Sequence, residues 1–253
     1  MSVPQVPAIV LAGGQAGPDL AAATGQRCRA MVPVAGKPMV VHVCDALLQA
    51  TTVSSILVVG DVPAPEGCSQ TGDHGGFAEN LFAGLRVVGN GELVLVSTCD
   101  IPFVTPAAFD DLVRRGVELR ADVVYPIVHV AACYRRFPGV KRTSLRLREG
   151  VFTGGNAMLV NGAFVRAHAD QIASAYAARK SPARLASMIG LGTLARLVGA
   201  MTVFPNALEL AALEAAVGRL LGGAVARALV SDYPEVATDI DRLTDLQAVA
   251  SSG

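Results

Sequence analysis

Short apolar runs rich in β-branched residues recur along the chain, at Ala8 to Leu11, Ser55 to Gly60, Leu93 to Thr98 and Val123 to Ile127. Between them, at Met39 to Ala50, Phe77 to Val88 and Pro106 to Arg115, apolar residues return every three or four positions. The first pattern predicts strands and the second predicts amphipathic helices. Their alternation predicts an α/β domain with a mainly parallel sheet covered on both faces. "TPAAFDDLVRRG" carries its own boundary signals: Thr105 as N-cap, Pro106 in the first turn, Asp110 and Asp111 early, Arg114 and Arg115 late, and Gly116 as a stop. Beyond Phe164 the pattern turns mostly helical through about Leu221, and a short strand, Val225 to Val230, then leads to "YPEVATDIDRLTDLQAV". One domain over residues 1–253, with a mostly helical insertion at about 164–221, is the simplest organisation.

Charge and composition narrow the function classes. Lys plus Arg number 21 and Asp plus Glu number 21, so no overall charge draws the chain to nucleic acid or to an anionic membrane. Cys28, Cys44, Cys68, Cys99 and Cys133 show no CxxC spacing, which argues against a disulfide framework or a zinc site and for a reducing, cytoplasmic setting. No signal peptide is expected at the amino terminus, and no apolar run approaches the roughly 18 residues of a membrane span. "SMIGLGTLARLVGAMTVF", with a single charge, reads as a buried helical layer; an acceptor cover, a homodimer contact or a receptor for a lipid-like acceptor stay open for it.

In parallel α/β sheets, ligands sit beyond the carboxyl ends of the strands. The first strand delivers "LAGGQAGPDL", whose paired glycines permit close approach of main-chain N–H groups to an anion, although a tight turn has the same composition. The third apolar run ends on "STCDIPF", which puts Asp100 at the same edge, suited to a hard cation such as Mg²⁺ or else to a turn. In "TDIDRLTDL", Asp239 and Asp241 would share one face of an extended segment and Asp245 would open a helix. One of the first two is a candidate second carboxylate, and a solvated strand end is the competing reading. The block "YRRFPGVKRTSLRLREG" reads as a solvated face with an exposed strand at "SLRLRE", or, through Lys141 and Arg142, as a clamp for a phosphorylated acceptor. "FTGGN" adds a second glycine pair beside Asn156, whose amide suits a hydroxyl.

Taken in order, "VLAGG", "PVAGKPMV", "VLVSTCDIPF", "FTGGN" and "DIDRLTDL" resemble the MobA-like nucleotidyltransferase family, from Ala8 to about Val249. The resemblance implies a glycosyltransferase-A-like α/β fold, a three-layer sandwich with a helical carboxyl-terminal part. It also implies transfer of a nucleoside monophosphate from an NTP to a small phosphorylated acceptor. By that resemblance Leu11, Ala12, Gly13 and Gly14 form the nucleotide loop, Asp100 and Asp241 hold Mg²⁺ (or Mn²⁺), Asn80 lies near a nucleotide contact, and Asn156 faces the acceptor. Arg29 stands at the family's lysine and, with Lys37, would offset charge on the leaving pyrophosphate; Lys37 is equally readable as a surface turn residue. The chain departs from the family pattern at Pro18 and Asp19, where the loop's arginine is expected, and at Leu243, which replaces a proline. Those departures motivate an alternative, a nucleotide-binding or sensing module with weak or lost catalysis. A dinucleotide oxidoreductase is disfavoured, because no GxGxxG follows the first strand, and no GxxxxGK[ST] phosphate loop is present. The four histidines form no ligand pattern, and Cys99 reads as a buried apolar residue.

Overall fold

The computed structural model describes residues 4–89, 93–178 and 208–250. Among them, nine strands form one sheet. In chain order the first half contributes β1 (Val6–Leu11), β4 (Val53–Val59), β5 (Ser69–Thr71) and β6 (Leu93–Thr98). The second half contributes β7 (Val123–His129), β8 (Leu145–Leu147), β9 (Gly150–Gly154), β10 (Ala157–Asn161) and β11 (Ala226–Ser231). The spatial order is β5-β4-β1-β6-β10-β7-β9-β8, with β11 alongside β7. Pairings β1–β4, β1–β6, β4–β5 and β7–β11 are parallel, whereas β10 runs antiparallel to both β6 and β7. The expected mostly parallel sheet is therefore present, with antiparallel strands in its second half.

Strand side chains alternate between two buried faces, which is why the runs are continuously apolar rather than striped. Ala8, Val10, Ile56, Val58 and Leu95 belong to one core, and Ile9, Leu11, Leu57, Val59, Val94 and Val96 belong to the other. Helix α2 (Met39–Gln49) supplies Val40, Val43, Cys44 and Leu47 to the first core, as α4 (Pro106–Glu118) supplies Phe109, Leu112 and Val113 and the short α5 (Val130–Arg136) supplies Cys133. The second core takes Leu81 and Leu85 from α3 (Phe77–Val87) and Val165 from α6 (Gly162–Ala167). Helices thus cover the sheet on both sides, giving three layers. A third cluster ties Leu20 of α1 (Pro18–Thr24) to Ile240 and to Val249 of α9 (Leu243–Ala250), and joins the first loop to the carboxyl-terminal segment.

Particular boundaries bear on the sequence reading. Thr105 is the N-cap expected of it, accepting from the Ala108 N–H at 3.3 Å. Gly116, expected as the stop, instead lies inside α4, which runs on to Glu118. A Cβ at Gly116 would come within 2.8 Å of Leu159 Cδ2, so the glycine serves helix–sheet contact rather than termination. The "SLRLRE" stretch forms only the short edge strand β8, and its Leu147 is buried. Among the described residues, the helical reading beyond Phe164 is met by α6, α7 (Ala169–Ala178) and α8 (Leu210–Leu220); residues 179–207 of that stretch lie outside them. "SMIGLGTLARLVGAMTVF" lies outside the described residues, and no described helix is long and apolar enough to cross a membrane.

Candidate active site

The glycine loop leaves β1 at its carboxyl end and lies against β6: the Cys99 N–H donates to the Leu11 carbonyl at 3.2 Å. Ala12 is buried and gives its N–H to Val59 at 2.7 Å, so the backbone stays in register one residue past the strand. Gly13 follows in close quarters. A Cβ there would come within 2.5 Å of Asn80 Nδ2 and closer still to Asp73 Oδ1. Those two side chains are bonded to each other at 2.8 Å, and Asn80 Oδ1 accepts the His74 N–H at 2.7 Å. The first turn of α3 and the loop before it thereby set the floor beneath Gly13. Gly14 then accepts the Arg29 N–H at 2.9 Å, which roots Arg29 on the same loop.

Asp100 follows β6 and is almost wholly buried, at 7% exposure. Its Oδ1 accepts the Thr98 hydroxyl at 2.5 Å, and its Oδ2 accepts Arg29 Nη1 at 3.0 Å. The same Nη1 forms an ion pair with Asp241 Oδ1 at 2.5 Å. Asp239 and Asp241 come in on the irregular segment between β11 and α9, fastened to the sheet by the Ile240 N–H to the Asp100 carbonyl at 2.9 Å. The segment is irregular rather than a strand, yet Asp239 and Asp241 line the same two cavities, as the expected shared face requires. Asp245 closes the segment by accepting the Arg242 N–H at 2.9 Å near the start of α9, as its expected role requires.

Charge is unbalanced at this edge. Burial, reinforced by Asp100 and Asp241, pushes the Asp239 carboxyl up to about 6. Burial pulls the Arg29 guanidinium down, but the Asp100 and then Asp241 carboxylates outweigh it and hold it above its ordinary value. Among the described residues no three His, Cys, Asp or Glu side chains converge into a complete metal cage. What converges is a partial set of carboxylate oxygens with excess negative charge. Such a set fits Mg²⁺, which keeps several waters and takes substrate phosphates into its shell.

Two cavities meet at these residues. One, of about 360 Å³, is lined by Leu11, Gly13, Gly14, Arg29, Phe77 and Asn80, together with Thr98, Asp100 and Tyr176. The other, of about 640 Å³, carries Tyr125, Lys141, Arg142, Thr143, Ser144 and Thr153. Asn156, Asp239 and Asp241 line both. Asn156 is held there because its main chain joins β6 to the carboxylate segment: its carbonyl accepts the Thr98 N–H at 2.9 Å, and its own N–H donates to Val236 at 2.7 Å. Its amide nitrogen lies 3.3 Å from Asp239 Oδ1. The preceding glycines fit closely beneath Tyr125 and Pro126, which a Cβ at Gly154 or Gly155 would approach to 2.6 and 2.8 Å.

Most of the residues singled out from sequence therefore gather at one edge: Leu11, Gly13, Gly14, Arg29, Asn80, Asp100, Lys141, Arg142, Asn156 and Asp241. Lys37 does not join them. It sits on β3 (Lys37–Pro38), paired with β2 (Pro33–Val34), and its ammonium bonds Asp45 at 2.7 Å in an exposed ion pair. Arg142 lines the larger cavity but spends part of its guanidinium on the Ala237 carbonyl and on Thr238 Oγ1, the latter at 2.9 Å. It braces the turn that leads to Asp239. Pro18 and Asp19 open α1, and Asp19 accepts the Leu243 N–H at 3.1 Å, so this part of the loop binds the carboxyl-terminal helix. Thr98, Tyr125 and Asp73 also stand at this edge, and a hydroxyl two residues before a strand-end aspartate is the sequence signal for the first. Burial pushes the Cys99 thiol well up, as suits a buried apolar residue.

A family model described as the MobA-like NTP transferase domain matches residues 8–231. A hypothetical transferase from Thermus thermophilus shares 40% identity with the chain, covers 96% of it and 99% of its own length, and superposes with a TM-score of 0.83. CMP:2-keto-3-deoxy-manno-octonic acid synthetase, solved with CTP, has the same fold at 12% identity and a TM-score of 0.59, covering 98% and 97% of the two chains. The 2-C-methyl-D-erythritol 4-phosphate cytidylyltransferase from Thermus thermophilus does so at 17% identity and a TM-score of 0.53, covering 98% of each. No curated protein sequence matches. With most of its length under the family model and its sheet shared with these enzymes, the chain belongs to the MobA-like NTP transferase domain family of nucleotidyltransferases.

Proposed function

We propose that the protein transfers a nucleoside monophosphate from an NTP to a small phosphorylated acceptor. The observation that carries this reading is the pair of cavities, about 360 and 640 Å³, that adjoin at Asn156, Asp239 and Asp241. The smaller suits the NTP, with main-chain groups of Leu11 to Gly14 beside it and Arg29 at its wall. The larger suits the acceptor, whose phosphate would meet Lys141 and the free part of the Arg142 guanidinium. An acceptor phosphate oxygen attacks the α-phosphorus, a new P–O bond forms, the bond to the β-phosphate bridging oxygen breaks, and pyrophosphate leaves with that electron pair. The attacking oxygen is already ionised, so no protein nucleophile or general base is required, and positioning and charge supply the rate. Mg²⁺ or Mn²⁺ held by Asp100 and Asp241 would neutralise charge on the α-phosphate when bound. Arg29, rooted beside Gly14, offers a guanidinium to the leaving pyrophosphate. Lys37 has no part in this reading, because its partner is Asp45.

The test is a matrix of the four NTPs, Mg²⁺ or Mn²⁺, and phosphorylated sugars, polyols and pterins, followed by pyrophosphate release. Asp100→Ala and Asp241→Ala should each lose about a hundredfold or more in turnover. Release at wild-type rates by both variants would remove the two carboxylates from the mechanism.

A further inference from the structure

We infer that Arg29 is the resident cation of the carboxylate site: it holds Asp100 and Asp241 while the nucleotide site is empty, and it yields them to a divalent cation when a triphosphate takes its guanidinium. The inference rests on the reading of Asp100 and Asp241 as the cation-holding carboxylates.

The geometry points this way at four places. A single nitrogen, Arg29 Nη1, hydrogen-bonds Asp100 Oδ2 at 3.0 Å and ion-pairs with Asp241 Oδ1 at 2.5 Å. The second oxygen of Asp100 is taken by the Thr98 hydroxyl, so that carboxylate is engaged on both sides. The Arg29 main chain is fixed to Gly14, and its side chain lines the cavity beside Gly13 and Gly14, within reach of whatever anion lies on the glycine loop. Finally, Arg29 Nε is buried without a hydrogen-bond partner, so the present arrangement leaves a donor unused.

An unused buried donor is costly, and a phosphate oxygen is an acceptor able to satisfy it. A guanidinium and a divalent cation drawn to the same two oxygens repel each other, so each weakens the other's hold. A triphosphate reverses this, because its oxygens draw the guanidinium away while the carboxylates become free. Cation and nucleotide are then positively coupled, and by linkage each tightens the other by the same factor. Arg29 acts here as a gate on cation entry, a role separate from any charge it offers the leaving pyrophosphate.

Mn²⁺ is the probe, titrated by electron spin resonance into the full chain with and without an α,β-methylene NTP analogue, after subtraction of Mn²⁺ bound by free analogue. The wild type should bind Mn²⁺ about tenfold or more tightly with the analogue than without it. Arg29→Gln should bind Mn²⁺ tightly with no nucleotide, with the coupling reduced towards one, and Mn²⁺ should raise its melting temperature more than that of the wild type. Arg29→Lys keeps the positive charge and should keep the weak nucleotide-free binding, which separates competition by charge from loss of packing. The inference is overturned if nucleotide-free Arg29→Gln binds Mn²⁺ no better than wild type, or if wild-type binding is unchanged by the analogue, while Asp100→Asn abolishes Mn²⁺ binding. If Asp100→Asn binds Mn²⁺ as the wild type does, the cation-site reading itself fails.

Discussion

The Thr98 hydroxyl donates to Asp100 across 2.5 Å, two residues apart on the same strand exit, and so fixes one carboxylate oxygen while the other faces Arg29. A carboxylate held this way presents one oxygen to the site in a fixed orientation. Thr98→Val should lower kcat about tenfold with a smaller change in the KM for NTP, since the variant loses orientation rather than binding. Steady-state kinetics on the two proteins decide this, and an unchanged kcat would mean that packing alone orients Asp100.

Gly13 and Gly14 are neighbours with opposite tolerances. Gly13→Ala places a methyl against Asn80 and Asp73, whereas a Cβ at Gly14 meets nothing within 4 Å. Overpacking at Gly13 should cost about 1–3 kcal/mol of stability, and Gly14→Ala should cost far less. Urea denaturation of both variants measures the difference; equal midpoints would contradict the contact with Asn80.

Asp110 is buried in the second turn of α4 and accepts the Thr51 hydroxyl, the Thr52 N–H and the Thr52 hydroxyl, at 2.8, 2.9 and 2.8 Å. Burial pushes its carboxyl up, but the bonds from Thr52 and Thr51 outweigh burial and hold it below its ordinary value. A folded pKa below the unfolded one, about 3.9, makes this stability fully present above that pH and lost as pH falls through the folded value. Asp110→Ala should cost about 2 kcal/mol near neutrality, from donors left unpaired. The gap between variant and wild type should narrow as unfolding is followed from about pH 5 to about pH 2. A gap constant with pH would contradict the assignment.

Ala35 and Gly36 form the tight turn between β2 and β3, with φ of 48° and 80°. Both angles lie in the left-handed region that two-residue hairpins require, and alanine is strained there. Ala35→Asn should stabilise the protein by about 1 kcal/mol, read as a higher denaturation midpoint. A lower midpoint would contradict the turn geometry.

The central strands were legible because β1, β4 and β6 are buried on both faces, so their sequences are continuous apolar runs. Asp100 was legible for the same reason: it is the first charged residue after such a run. Gly116 misled because a glycine's role inside a helix depends on Leu159, a partner 43 positions away in sequence. Strand β8 was legible in the alternation of "SLRLRE", whereas β9 and β10, five residues each and antiparallel to β7, carry too few positions for alternation to register. The ion pair between Arg29 and Asp241 was not readable at all, since no spacing rule links residues brought together only by the tertiary fold.

The most direct test of nucleotidyl transfer uses an NTP labelled at the α-phosphorus, incubated with the protein, Mg²⁺ and the acceptor that gives the fastest pyrophosphate release. Nucleotidyl transfer predicts that the label passes into an acceptor-bound product in step with release of unlabelled pyrophosphate, and that Asp100→Ala stops both. Label that stays in the NTP while the protein binds it tightly, across every acceptor, would contradict transfer and leave a protein that binds nucleotide without turning it over.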